Sequence, residues 1–122
     1  MTLSGRFFRL FLPVLLYMTV IFLLSSSSRI SPPFADRLSF DKIYHVIEYA
    51  VLGYLLLRAL EQGFYMQGVT MIILAFGIGA AFGMSDELHQ YFVPGRIFSY
   101  WDFAADTVGV AVGEWIYLKL RL

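Results

Sequence analysis

Four apolar stretches, at roughly Phe7–Leu24, Ile43–Leu60, Gly68–Tyr91 and Phe103–Leu120, occupy most of a chain of 122 residues. The first, second and fourth are about 18 residues long. At about 1.5 Å per residue, each covers about 27 Å, close to the roughly 30 Å hydrocarbon core of a bilayer. The third is longer and projects past that core. Hydrophobic residues make up 59% of the chain and charged residues 15%, with a mean hydropathy of +0.70. A soluble domain of this size cannot bury so much apolar surface. The expected architecture is all-α: a bundle of four transmembrane helices forming one unit over residues 1–122.

The linkers differ in kind. "SSSSRISPPFADRLSF" reads as a true loop, "EQGFYMQ" as a short turn around Gly63, and "FVPGRIFSYW" as a turn at Pro94-Gly95. Arg6 and Arg9 before an apolar run also fit a secretory signal peptide, but no A-x-A-like site follows, and the segment is read as an uncleaved first span. The absence of cysteine excludes disulfides, thiolate metal sites and thiol nucleophiles. Nine bases balance nine acids, so no basic face suggests nucleic acid.

Orientation follows from Lys and Arg. Arg6, Arg9, Arg58, Lys119 and Arg121 fall at one end of the bundle, and Arg29, Arg37, Lys42 and Arg96 at the other. This bias predicts both termini in the cytoplasm. Aromatic residues supply two interfacial belts, Tyr91, Phe92, Tyr100 and Trp101 outside and Phe64, Tyr65, Trp115 and Tyr117 inside.

The acids are unevenly shared. Asp36, Asp41, Glu48, Asp86, Glu87, Asp102 and Asp106 fall at the outer end, with both histidines, His45 and His89, whereas only Glu61 and Glu114 fall at the inner end. At about 100° per residue, Asp41, His45, Glu48 and Leu52 share one face of the second helix. Asp86 and Gln90 stand above Gly79 and Gly83 on the third, and Asp102 and Asp106 above Gly109 and Gly113 on the fourth. Small residues at that spacing let helix backbones approach in lipid, which predicts that the third and fourth helices touch through these four glycines. The polar heads then point into the bundle, where a charge is less costly than in lipid.

Several of these residues have ordinary structural readings. Asp41 fits an N-cap of the second helix, and Ser99 with Asp102 a capping box of the fourth. Lys42 and Glu48 fit interfacial charges, and Tyr49 a core or belt aromatic. Asp86 and Glu87 are harder to dismiss. They end a helix, where the dipole disfavours acids by about 0.3 to 1 kcal/mol each. Arg96, Lys42, a protonated His45 or a bound cation would offset them, an ion pair with Arg96 being the simplest structural choice.

"DKIYHVIEYAVLG" and "DELHQYFVPGRIFSYWDFAADTVGVAVG" together resemble the VanZ-like family of small bacterial membrane proteins. The resemblance spans roughly Ser25 to Gly113, and "FLLSSS" resembles the end of that family's first helix. Asp106 departs from it, since Asn is expected there. The resemblance implies an integral membrane protein of the bacterial envelope, in a family whose founding member is associated with low-level resistance to the glycopeptide teicoplanin. The candidate ligand-binding set is Asp41, Lys42, His45, Tyr49, Asp86, Glu87, Gln90, Arg96, Ser99, Asp102 and Asp106.

Three functions fit. In the first, Lys42 and Arg96 hold a phosphate or carboxylate, and the acids and Gln90 read hydroxyls or amides of a lipid head group, a cell-wall precursor or a glycopeptide. In the second, the protein is a membrane-embedded enzyme acting on an envelope lipid. There His45 with Glu48, and Asp86 with His89, ligate a metal, or His45 serves as a general base. His89 points away from the Asp86–Gln90 face, which weakens the metal arrangement, so no metal ligand and no cofactor are assigned. In the third, intramembrane carboxylates serve a transporter, although polar groups at one end only give no path through.

Overall fold

A computed structural model describes residues 2–26, 38–96 and 98–121. It consists of four α-helices: α1 (Leu3–Ser26), α2 (Leu38–Phe64), α3 (Gly68–Tyr91) and α4 (Tyr100–Leu120). The described residues contain no strand. Every helix matches an expected apolar stretch, and α1, α2 and α4 extend past it at their ends. The extensions follow from residues that are polar yet helix-compatible, such as Ser25 and Ser26 at the end of α1 and Glu61 and Gln62 at the end of α2. Arg29, Asp36 and Arg37 lie outside the described residues.

α1, α2 and α3 are long and apolar enough to cross a membrane. α4 does not meet that measure: every 18-residue stretch of it carries at least three of Asp102, Asp106, Glu114 and Lys119. Its acids are instead covered by neighbours. α2 is the central element, in contact with the other three, and its most extensive pairing is with α4. The core runs along that seam, with Tyr49, Leu52, Leu57, Val110 and Tyr117 buried and Ile21 and Met71 closing it from α1 and α3. The outward faces are apolar, with Leu16, Ile47, Ile73 and Val108 among the exposed side chains, as lipid contact requires.

The glycines correct the expected packing. Gly79 faces Val110, and Gly83 faces Asp106, so both lie against α4 as expected. Gly109 and Gly113 do not face α3. A Cβ on Gly109 would meet the Val46 carbonyl and Tyr49, and one on Gly113 would meet the Ala50 carbonyl and Tyr54 N, all on α2. Gly53 completes this seam from the other side, against the backbone of Val110. The acids stand above the glycines as predicted, but two helix pairs, not one, use them.

The connections show similar shifts. Gly63 lies inside α2, where it makes room for the Phe11 ring, and the chain reverses later, at Tyr65 (φ 56°) and Gly68 (φ 74°). Pro94-Gly95 does form the turn between α3 and α4, with Gly95 at φ 83°, a left-handed conformation that glycine adopts without a steric cost. The belt residues Tyr91, Phe92, Tyr100 and Trp101 are exposed at one end, and Phe64, Tyr65 and Trp115 at the other. Tyr117 is not a belt residue: it is buried, donates to Glu61 Oε2 (2.5 Å) and accepts from Gln62 Nε2 (3.2 Å).

Candidate functional site

The α2–α4 seam carries one half of the polar cluster. Asp41 is not the N-cap, because α2 begins at Leu38; it lies in the first turn, on the same face as His45 one turn later. Ser99 does cap α4. It is extended (φ −132°, ψ 119°), and its hydroxyl accepts from the Asp102 N–H at 3.2 Å. The reciprocal arm of a capping box is replaced: the Ser99 N–H donates to Glu87 Oε2 of α3 at 3.4 Å. This frees the Asp102 carboxylate, which accepts a hydrogen bond from Lys42 Nζ; Lys42 also donates to Asp41 Oδ2 at 3.2 Å. Asp106, one turn along α4, is fully buried, with Oδ1 2.7 Å from His45 Nδ1. The other ring nitrogen of His45, Nε2, faces Asp102 (3.7 Å) and Asp41 (3.8 Å).

α3 and α1 carry the second half. Asp86, Glu87 and Gln90 are all buried in the last turns of α3. Asp86 Oδ2 accepts from the Ser25 hydroxyl at 2.8 Å and from the Tyr49 hydroxyl at 3.4 Å. Gln90 Nε2 donates to Ser25 Oγ at 3.4 Å. Ser25 was not among the sequence candidates. Its signal was the spacing of Leu10, Val14, Ile21 and Ser25, which are all buried on one face of α1.

Three carboxylate oxygens in this cluster, Asp86 Oδ1, Glu87 Oε1 and Asp106 Oδ2, are buried with no hydrogen-bond partner. Such groups are costly unless something satisfies them.

Ten of the eleven candidates thus fall into two bonded groups at one end of the bundle: Asp41, Lys42, His45, Glu87, Ser99, Asp102 and Asp106 in one, and Tyr49, Asp86 and Gln90, joined through Ser25, in the other. Arg96 donates from Nη2 to the Leu24 carbonyl at the end of α1 (3.5 Å). Lys42 is held between two carboxylates, which removes it as an open clamp for a phosphate. His89 stands outside the cluster, as its helical angle predicts: it stacks on Phe22 and lies 2.7 Å from the Ser26 hydroxyl. The metal arrangement drawn from His45–Glu48 and Asp86–His89 therefore does not form. Instead, donor atoms of His45, Glu87 and Asp106 lie within 4.8 Å of one another, as do those of Asp41, His45 and Asp102.

A family model described as VanZ/LLP1 matches residues 6–121. The chain belongs to the VanZ/LLP1 family. The match covers all four helices, so this VanZ/LLP1 protein is an integral membrane protein whose polar cluster lies wholly inside the matched region. Searches of curated proteins and of solved structures give no match.

Elsewhere, Glu114 is buried in the other half of α4 with Oε1 unpartnered, and Arg121 pairs with Glu61. An open groove lined by Arg6, Arg9, Leu10, Glu61, Gln62 and Tyr65 lies at that end, away from the cluster.

Proposed function

We propose that this protein resides in the bacterial plasma membrane, crosses it four times with both termini in the cytoplasm, and binds the polar part of an envelope molecule at the outer leaflet. The ligand is a lipid head group, a cell-wall precursor or a glycopeptide. One observation carries the reading: among the described residues, seven of the eight buried polar side chains, drawn from all four helices, meet at one end of the bundle. They are Ser25, His45, Asp86, Glu87, Gln90, Asp102 and Asp106. Asp41, Lys42 and Asp102 remain partly accessible at the mouth, with side-chain exposures of 30%, 28% and 12%. With Lys42 already engaged, the mouth favours a ligand that brings donors, amines or hydroxyls, over one that brings a bare anion. Exposed Tyr44, Tyr91, Phe92, Tyr100 and Trp101 at the same end suit its lipophilic part.

The test uses nanodiscs holding equal amounts of phosphatidylethanolamine and phosphatidylglycerol. After extraction, native mass spectrometry reads which lipid stays bound. The amine-bearing lipid is expected to be retained several-fold over the anionic one, with the preference lost in Asp41→Asn and Asp102→Asn. Added teicoplanin displaces the lipid if the glycopeptide shares the mouth. Equal retention of both lipids, or preference for the anionic one, overturns the reading.

A further inference from the structure

We infer that His45, Glu87 and Asp106 form a binding site for a divalent first-row metal ion of the zinc or manganese type. One residue comes from each of α2, α3 and α4, and all three are buried. The mouth described above does not require this site, and the site does not require a ligand at the mouth.

The donor set comes first. One imidazole nitrogen and two carboxylate oxygens, with no sulfur available in the chain, suit zinc and manganese better than the oxygen-preferring calcium or magnesium. Tetrahedral ligands about 2.1 Å from a metal lie about 3.4 Å apart. The observed donors lie within 4.8 Å of one another, so side-chain rotations of about an ångström close the site.

Charge comes second. Glu87 and Asp106 are fully enclosed, at 0% exposure each. Glu87 Oε1 and Asp106 Oδ2 have no hydrogen-bond partner. The nearby ammonium is already engaged, since Lys42 pairs with Asp41 and Asp102. Two buried carboxylates sharing one imidazole leave negative charge when both are ionised, in a medium that does not tolerate it, and a cation would hold them in that form. A small cation fits where an organic ligand does not, because these side chains have no exposed surface.

The outer ring of partners comes third. A metal-bound histidine usually donates its other N–H to a carboxylate, which fixes the ring. With Nδ1 turned to the metal beside Asp106, Nε2 faces Asp102 at 3.7 Å and Asp41 at 3.8 Å, and Lys42 holds both. The alternative group, Asp41, His45 and Asp102, has the same imidazole, but its two carboxylates already hold the Lys42 ammonium where a metal would sit.

Zinc titration of the chelator-treated full chain in detergent, followed by calorimetry, tests the site with the metal alone. One equivalent per chain is expected. Glu87→Gln and Asp106→Asn are each expected to weaken it at least 100-fold. Asp41→Asn removes only an outer partner, and such losses cost about 10- to 100-fold. Zinc-edge X-ray absorption on the unmodified chain reads the ligands without any variant: one imidazole with oxygen neighbours is expected. Absence of stoichiometric zinc overturns the site, as does a zinc environment with two imidazoles. Parent-like affinity in Glu87→Gln, with loss in Asp102→Asn, would move the metal to the alternative group and overturn it equally.

Discussion

Replacing Gly113 with alanine adds one methyl group where α4 rests on the backbone of α2. The new carbon would lie 2.7 Å from the Ala50 carbonyl carbon and 2.8 Å from Tyr54 N, and closer still to the Ala50 oxygen. Carbon atoms settle at about 3.5 to 4.0 Å. None of the obstructing atoms is a side chain that can rotate aside, so α4 must retreat by about an ångström. A gap of about 0.5 to 1 Å forfeits a quarter to a half of the dispersion attraction of the atoms lining it, and this seam is the most extensive in the bundle. Overpacking of this kind costs about 1 to 3 kcal/mol, and contact with backbone places it in the upper part of that range.

Alanine also gains about 0.5 to 1 kcal/mol over glycine inside a helix. Gly77→Ala isolates that gain, because Gly77 lies in α3 with nothing within 4 Å of an added Cβ. The two variants share the propensity change, so their difference is the overpacking cost, about 1 to 3 kcal/mol or roughly 5- to 150-fold in the unfolding equilibrium. Equilibrium unfolding in mixed micelles, followed by circular dichroism, reads it. Gly77→Ala is expected to match or exceed the parent, and Gly113→Ala to fall well below it. Equal stability of the two variants would refute the close α2–α4 approach.

Ser99→Ala is expected to lower stability by about 1 kcal/mol in the same assay, because it removes the oxygen that accepts from the Asp102 N–H, and Ser99→Asp should restore most of it. The chain has no cysteine, so single cysteines report topology directly: one at Pro94 should react with an impermeant thiol reagent in intact cells and one at Gln67 should not, and the opposite pattern would place the polar cluster in the cytoplasm.

The four helices were legible because hydrophobic run length is a strong signal, and membrane helices need little else to be found. The clustering of Asp41, His45, Asp86, Glu87, Asp102 and Asp106 was legible too, since each apolar run delivers its acids to the same end. Pairing was harder to read. Gly109 and Gly113 announce a close contact but carry no sign of whose backbone they meet, and of the two glycines of α2, Gly53 meets α4 while Gly63 meets α1. Ser25 was hidden for another reason: it opens a run of four serines, and only the phase of the preceding helix shows that it turns inward. Lys42 misled because a base near a cluster of acids reads as ligand-binding until its own partners are known. Tyr117 misled because belt position and burial depend on rotation about the helix, which composition does not give.

The acids that end α3 find their explanation in the direction of the neighbouring helices. α1 and α3 finish at this end of the bundle, whereas α2 and α4 begin there. Asp41 and Asp102 sit in the first turns of α2 and α4, where the positive end of each dipole favours them. Asp86 and Glu87 oppose the dipole of their own helix but reach into their neighbours. Glu87 takes the N–H of Ser99 at the start of α4, the positive end that α3 lacks, and Asp86 takes the hydroxyls of Ser25 and Tyr49. One oxygen of each acid is accounted for in this way. The remaining oxygens, Asp86 Oδ1 and Glu87 Oε1, are buried and unpartnered beside Asp106 Oδ2 in the same condition. An amide in place of Asp86 or Glu87 would keep an acceptor for the Ser25 and Tyr49 hydroxyls or for the Ser99 N–H and would carry no buried charge, so the hydrogen bonds alone do not require acids there. Under the binding proposed above, these unpartnered acceptors are the groups a ligand or ion would use.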